Sequence, residues 1–206
     1  MGKKLLELFS GTGSVGRVAK ALGWEVVSLD LKNADINLDI LDWDFEVFPV
    51  GHFDFVWGSP PCTEYSRAKT TGIRKIEYAN RIVLKTIDII RYLKPTYYVI
   101  ENPQTGLLKE QIFMQDLPFK DIDYCKYGLQ YRKRTRLWNN IENWKPKALC
   151  NKDCGNMNGN KHIAQAQRLT KNDDGTISKN FLQTELYIIP EQLIQEIFNS
   201  INNETI

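Results

Sequence analysis

The segment "LELFSGTGSVGRVAKALG", residues 6–23, constrains this chain more than any other. A short apolar run stops at a glycine-rich loop, and a helical pattern starts inside that loop. Gly11, Gly13 and Gly16 fall at the spacing G-x-G-x-x-G. Glycines at these offsets let the backbone turn tightly and approach a ligand, and the helix start offers unpaired N–H groups. "EVVSLDL" reads as a second strand ending on Asp30, 19 positions after Gly11. A carboxylate there can accept the hydroxyls of a ribose. The loop alone suits nicotinamide, flavin or S-adenosylmethionine equally well. It also suits an empty strand-to-helix turn.

The rest of the chain continues the alternation. "FDFVWGSPPC" is a third strand and turn, and "NRIVLKTIDIIRYLKP" has helical periodicity with Pro95 as its stop. "TYYVIENP" is a strand ending on Glu101. "FKDIDYCKYG" and "RTRLWNN" read as a pair of later strands. "PEQLIQEIFNSI" is a closing helix with Pro190 at its start. Strands alternating with helices predict a Rossmann-like α/β fold with a doubly wound sheet, in which ligands sit beyond the strand ends. The glycine loop, Asp30, Cys62 and Glu101 all fall there. Residues 139–180 are polar and rich in Asn, Lys and Gly, and read as an irregular insertion. With 206 residues the expectation is one catalytic domain spanning 1–206.

No apolar run reaches membrane-spanning length. "MGKKLLELFS" reads as a first strand rather than a signal peptide, so a reducing, intracellular (cytoplasmic) setting is expected. In that setting Cys62, Cys125, Cys150 and Cys154 are catalytic, metal-binding or buried in preference to disulfide-paired. The net charge of +2 is uninformative, but "YRKRTR" (131–136) concentrates four basic residues and can meet phosphates, or be a solvated loop.

Cys62 stands behind Pro60 and Pro61, at the expected start of a helix, where a thiol pKa is lowered. By itself it reads as well as a small buried hydrophobe. Glu101 closes a strand and is poorly placed for a core. Arg134 and Arg136 alternate and share one face of their strand. A thiol, a carboxylate, paired arginines and an adenosyl pocket are not the equipment of hydride transfer.

These pieces resemble the DNA cytosine-5 methyltransferase family, in that family's order, over residues 4–138. "LELFSGTGSVG" resembles its S-adenosylmethionine motif, which implies cofactor contacts from Phe9, Ser10, Gly11, Thr12, Gly13 and Ser14. Asp30 falls at its ribose-binding acid, and Asp39 and Ile40 of "LDI" at its adenine-contacting motif. "GSPPCTEYS" resembles its Pro-Cys motif, with Pro60 beside the cofactor and Cys62 as nucleophile. "IENPQTGLL" resembles its Glu-Asn motif, and "YGLQYRKRTRLW" its arginine motif. The resemblance implies that a Cys62 thiolate adds to C6 of cytosine, so that C5 attacks the methyl group of S-adenosylmethionine. Glu101 then holds or protonates N3, and Arg134 and Arg136 bind the base carbonyl or brace Glu101. In duplex DNA the base must also be flipped out. The related enzymes that methylate exocyclic amines place an aromatic residue after Pro-Pro, where Cys62 stands here.

The chain departs from the family pattern at Thr63 (usually Gln), Pro103 (usually Val) and Arg132 (usually Gln, here two positions earlier as Gln130). Only about fifty residues stand between the arginine motif and the closing helix, where relatives carry a target-recognition domain. RNA or a free nucleotide is the alternative substrate, and a non-catalytic nucleic-acid-binding relative the alternative function. Within the insertion, Cys150, Cys154 and His162 join Cys125 as four soft ligands, enough for tetrahedral zinc. Their spacing is irregular, so no metal is assigned from sequence; free thiols and a surface histidine fit as well.

Overall fold

The computed structural model describes residues 2–166, 169–171, 177–179 and 181–202. A seven-stranded sheet is built from β1 (Lys4–Leu8), β2 (Glu25–Asp30), β3 (Ile36–Asn37), β4 (Phe55–Gly58), β5 (Tyr97–Pro103), β6 (Phe119–Asp123) and β7 (Arg134–Asn139). Their order across the sheet is β3-β2-β1-β4-β5-β7-β6. β1 to β5 pair in parallel, and β7 runs antiparallel to both β5 and β6. The order reverses between β1 and β4, so a crevice opens above their carboxyl ends.

Strand alternation sorts the core onto two faces. Leu5, Phe55, Trp57 and Val99 meet α1 (Ser14–Ala21) and α4 (Glu191–Asn202) on one face. α4 fully buries Leu193, Ile194, Ile197, Phe198 and Ile201, which recur at helical spacing. Leu6, Leu8 and Val56 face the other way, against α2 (Ile76–Leu93) and its Ile82, Ile89 and Leu93. α2 begins four residues before the expected segment, and Lys94 in a left-handed conformation ends it just ahead of Pro95.

The predicted α/β sheet is present, with two differences. The strand expected third is β4, because the two-residue β3 follows the Asp30 turn. No α-helix connects β3 to β4 or β5 to β6; single turns of 3-10 helix at Phe45–Val47, Leu108–Glu110 and Ile112–Met114 serve instead. Between β7 and α4 lie a hairpin of β8 (Met157–Asn158) and β9 (Lys161–His162), a second of β10 (Leu169–Lys171) and β11 (Ile177–Lys179), and the short α3 (Gln183–Leu186).

Candidate active site

β1 hands the chain to the glycine loop through a strained residue. Phe9 has φ 60°, which a bulky side chain rarely adopts. Its N–H and that of Ser10 both donate to Leu29 O, at 2.8 and 3.2 Å, tying the loop to β2. Gly11 and Gly13 also have positive φ, at 49° and 65°. Asp30, at the end of β2, accepts the Gly11 N–H on Oδ2 at 2.8 Å and the Leu31 N–H on Oδ1 at 2.7 Å. The acid and the loop are thus one unit.

The third glycine does something else. Glu7 accepts the N–H groups of Val15 (3.2 Å) and Gly16 (3.0 Å), capping α1 from beneath. A Cβ on Gly16 would lie 2.6 Å from Glu7 Oε2, so only glycine leaves room. Burial lifts the Glu7 carboxyl to a pKa of about 7, against the lowering effect of the two amide bonds.

A cavity of about 570 Å³ opens above β1, β2, β4 and β5. Phe9, Ser10, Gly11, Thr12, Ser14, Asp30, Asp39, Ile40, Pro60, Cys62 and Glu101 all line it. Of the candidate catalytic and cofactor-binding residues, Gly13, Arg134 and Arg136 do not. The loop geometry, a ribose-height carboxylate and the apolar Ile40, Leu38 and Phe9 fit an adenosine-bearing cofactor.

Cys62 is held by a loop rather than by a helix. The Tyr65 N–H donates to Cys62 O at 3.1 Å and the Ser66 N–H to Thr63 O at 3.3 Å, giving turns where a helix start was expected. Asn102 Nδ2 donates to Pro60 O at 2.8 Å, pinning the loop to β5. Leu107 N–H donates to Tyr65 O at 2.9 Å from the other side. Arg74 gathers the far end of the loop, donating to the carbonyls of Glu64 (2.9 Å), Ser66 (2.7 Å) and Lys69 (2.7 Å). The thiol pKa is raised, first by burial and then by the Glu101 carboxylate, while Lys133 acts the other way. This corrects the expectation of a depressed pKa: no helix dipole reaches the thiol, and the nearby charge includes an acid.

Glu101 is 7% exposed at the end of β5. Tyr124 Oη donates to its Oε1 at 3.1 Å, and Lys133 Nζ lies 3.8 Å from the same oxygen. Burial and Glu101 push the Tyr124 hydroxyl well above its usual range, so it remains a donor. Lys133 also donates to Leu186 O at 3.1 Å, joining the site to the C-terminal segment. That segment returns across the glycine loop, where Ile189 N–H donates to Ser14 Oγ at 3.4 Å. Asn102 Oδ1, at the cavity wall, is the one buried side-chain polar atom without a partner among the described residues.

Arg134 and Arg136 do share one face of β7, as their alternation requires, but they turn to β6. Arg134 forms a two-pronged pair with Asp123 (3.0 and 2.7 Å), and Arg136 another with Asp121 (2.7 and 2.9 Å). Arg136 also stacks on Phe119, 3.5 Å from the ring centroid. The base-carbonyl and Glu101-bracing roles expected for them are not what this geometry provides; the cation beside Glu101 is Lys133. Nor is "YRKRTR" a free phosphate-binding run, since Arg132 also lies 3.6 Å from Asp123.

Residues 23–116 match the family model for C-5 cytosine-specific DNA methylases. Over 213 aligned residues the chain is 33% identical to the "Probable DNA (cytosine-5)-methyltransferase" of Frog virus 3 (isolate Goorha), covering 95% of this chain and 99% of that one. The chain belongs to the DNA cytosine-5 methyltransferase family. Solved structures agree on the fold of this cytosine-5 methyltransferase. A prophage-encoded E. coli protein named as a "putative DNA modification methyltransferase" superposes with a TM-score of 0.54 at 15% identity, covering 97% of this chain and 70% of its own. The Entamoeba histolytica methyltransferase EhMeth gives 0.54 at 18%, over 72% and 56%.

The glycine loop, Asp30, the Pro-Pro-Cys turn and the Glu-Asn strand end, grouped from the sequence, line one cavity in the structure. Glu7, Tyr124, Lys133 and Arg74 were missed. Glu7 alone carried a signal, as an acid inside an otherwise apolar strand.

Proposed function

We propose that this protein methylates C5 of cytosine in DNA, with Cys62 as the nucleophile and S-adenosylmethionine as the methyl source. The observation that carries this reading is that Cys62 and Glu101 share one cavity with the glycine loop and Asp30. When bound, S-adenosylmethionine supplies an electrophilic methyl group. Asp30 would hold its ribose, Ile40 and Phe9 its adenine, and the backbone of residues 10–13 its amino-acid end.

Cys62 Sγ adds to C6 of the base, which raises electron density at C5. Glu101 accepts from the exocyclic amine and holds the proton at N3. Tyr124 and Lys133 fix its carboxylate from behind, and Lys133 also favours the Cys62 thiolate. The Pro60–Pro61 turn and the Asn102 tie keep the thiol in one pose, which lowers the entropic cost of attack. C5 then takes the methyl group as its bond to the cofactor sulfur breaks, and transfer of the C5 proton to solvent with cleavage of the C6–Sγ bond expels the thiolate and restores the aromatic ring. Arg134 and Arg136 act as positioning residues that lock β7, and so Lys133, against β6. The short region between β7 and α4 stands in for a target-recognition domain. The protein works inside the cell, where its DNA substrate lies; no helix among the described residues is long and apolar enough to cross a membrane.

The test is transfer from labelled S-adenosylmethionine to mixed-sequence DNA, with Cys62→Ser in parallel. Labelled 5-methylcytosine from the wild type alone supports the reading. Label in RNA but not DNA moves the substrate, and label on an exocyclic amine, or equal label from Cys62→Ser, overturns the mechanism.

A further inference from the structure

Outside the cavity lining, Cys125, Cys150, Cys154 and His162 converge beyond the end of β6. One ligand atom from each lies within 4.8 Å of all the others. Their sequence separations are irregular, but the fold removes that objection. Cys125 sits on the buried turn that follows β6, Cys150 and Cys154 flank a tight turn, and His162 is on β9. All three cysteines are free thiols.

We propose that these four residues form a Cys3His zinc site. Tetrahedral zinc, with Zn–S near 2.3 Å and Zn–N near 2.05 Å, sets an S···N edge of about 3.5 Å and S···S edges of about 3.8 Å. Cys150 Sγ lies 3.5 Å from His162 Nε2. The surrounding groups suit a thiolate cluster as well. Lys152 has φ 64° and Gly155 φ 78°, curling the chain between and after Cys150 and Cys154. Cys150 N–H donates to Asp123 Oδ2 at 2.9 Å, and Asn156 Nδ2 to Cys125 O at 3.2 Å. Lys126, largely buried and paired with Asp153 at 2.8 Å, places a cation beside a cluster that would carry one net negative charge.

The segment has a physical need for such a site. Between Lys145 and Ala166 the only buried residue is Cys150. A stretch of that length that buries no side chain but a cysteine gains little from hydrophobic free energy, and a structural metal substitutes for the missing core. The metal would displace three thiol protons and fasten the β8–β9 hairpin to the turn at Cys125. The neighbouring Tyr124 reaches Glu101, so the same staple steadies the candidate active site from behind.

The experiment is metal analysis of the full chain purified without chelator, then after exchange into zinc alone. About one zinc per chain is expected, with cobalt replacement giving the intense visible ligand-field bands of a tetrahedral thiolate site. Cys62→Ser should keep the zinc, whereas Cys154→Ser and His162→Ala should each lose most of it. Should a variant fail to fold, the wild type decides: thiol-reactive dye should label Cys62 without zinc removal and the other three only after it. Less than about a tenth of an equivalent of zinc after loading, iron in its place, or four equally reactive thiols would overturn the proposal.

Discussion

Glu7 keeps both carboxylate oxygens on the amides of Val15 and Gly16, yet burial raises its pKa to about 7. In the unfolded chain it titrates at its ordinary value of 4.5. The folded protein therefore holds the proton longer. The stability contributed by Glu7 is fully present below pH 4.5 and is lost as pH rises towards about 7, by at most about 3 kcal/mol. Urea titrations across this range should show that decline, and Glu7→Gln should flatten it. A wild-type profile flat between pH 5 and 7 would mean the carboxyl is not shielded as described. Cys62 offers a second residue-scale check. Glu101 raises its pKa and Lys133 lowers it, so Glu101→Gln should accelerate iodoacetamide alkylation at pH 8 and Lys133→Met should slow it. Opposite signs in these two rates are a readout that loss of packing would not produce. Glu7 shows the limit of the sequence: an acid in an apolar strand was visible, but its partners on α1 follow from how the helix folds back over β1.

The element that sequence reading resolved least well is the β6–β7 hairpin. Both strands were legible, and so was the shared face of Arg134 and Arg136. What was not legible is that β7 inserts between β5 and β6. That order puts Asp121 and Asp123 opposite the arginines and leaves Lys133 to face Glu101. A basic run counted along the chain says nothing about acids brought in by a neighbouring strand. Asp123 is fully buried and serves Arg134 and the Cys150 amide together. Asp123→Asn should cost about 2 kcal/mol, because one prong and the charge are lost in a dry site. Thermal melts of Asp123→Asn and Asp121→Asn should rank them in that order, Asp121 being 20% exposed. For α4 the corresponding change is Phe198→Ala, which removes a ring packed against Trp24 and Phe55 and should cost about 3–5 kcal/mol.

At the scale of the whole molecule, the sheet order was accessible only as a class, since parallel strands reveal their neighbours through tertiary packing. The cofactor-binding half was the easier one to read, because its loop, acid and helix are adjacent in sequence. Ligand binding to that half should stabilise the entire fold. S-adenosylhomocysteine at about 100 times its Kd should add about 2.7 kcal/mol, whereas NAD should add nothing measurable by calorimetry. The region between β7 and α4 holds two short hairpins in place of a larger recognition domain. Methylation sites mapped by bisulfite sequencing should accordingly share a context of very few bases, and binding should weaken steeply with salt as phosphate contacts dominate.

Arg74 latches the far end of the Cys62 loop. One guanidinium collects three carbonyls, and Glu64, whose peptide oxygen is one of them, is also held by Lys69 at 2.6 Å. Releasing Arg74 therefore loosens the stretch from Glu64 to Lys69, while Asn102 and Leu107 still hold Pro60 and Tyr65. Amides in that stretch should exchange with deuterium as one cooperative group, sharing a single opening rate, and Arg74→Lys should speed the group together without touching β1 or β4.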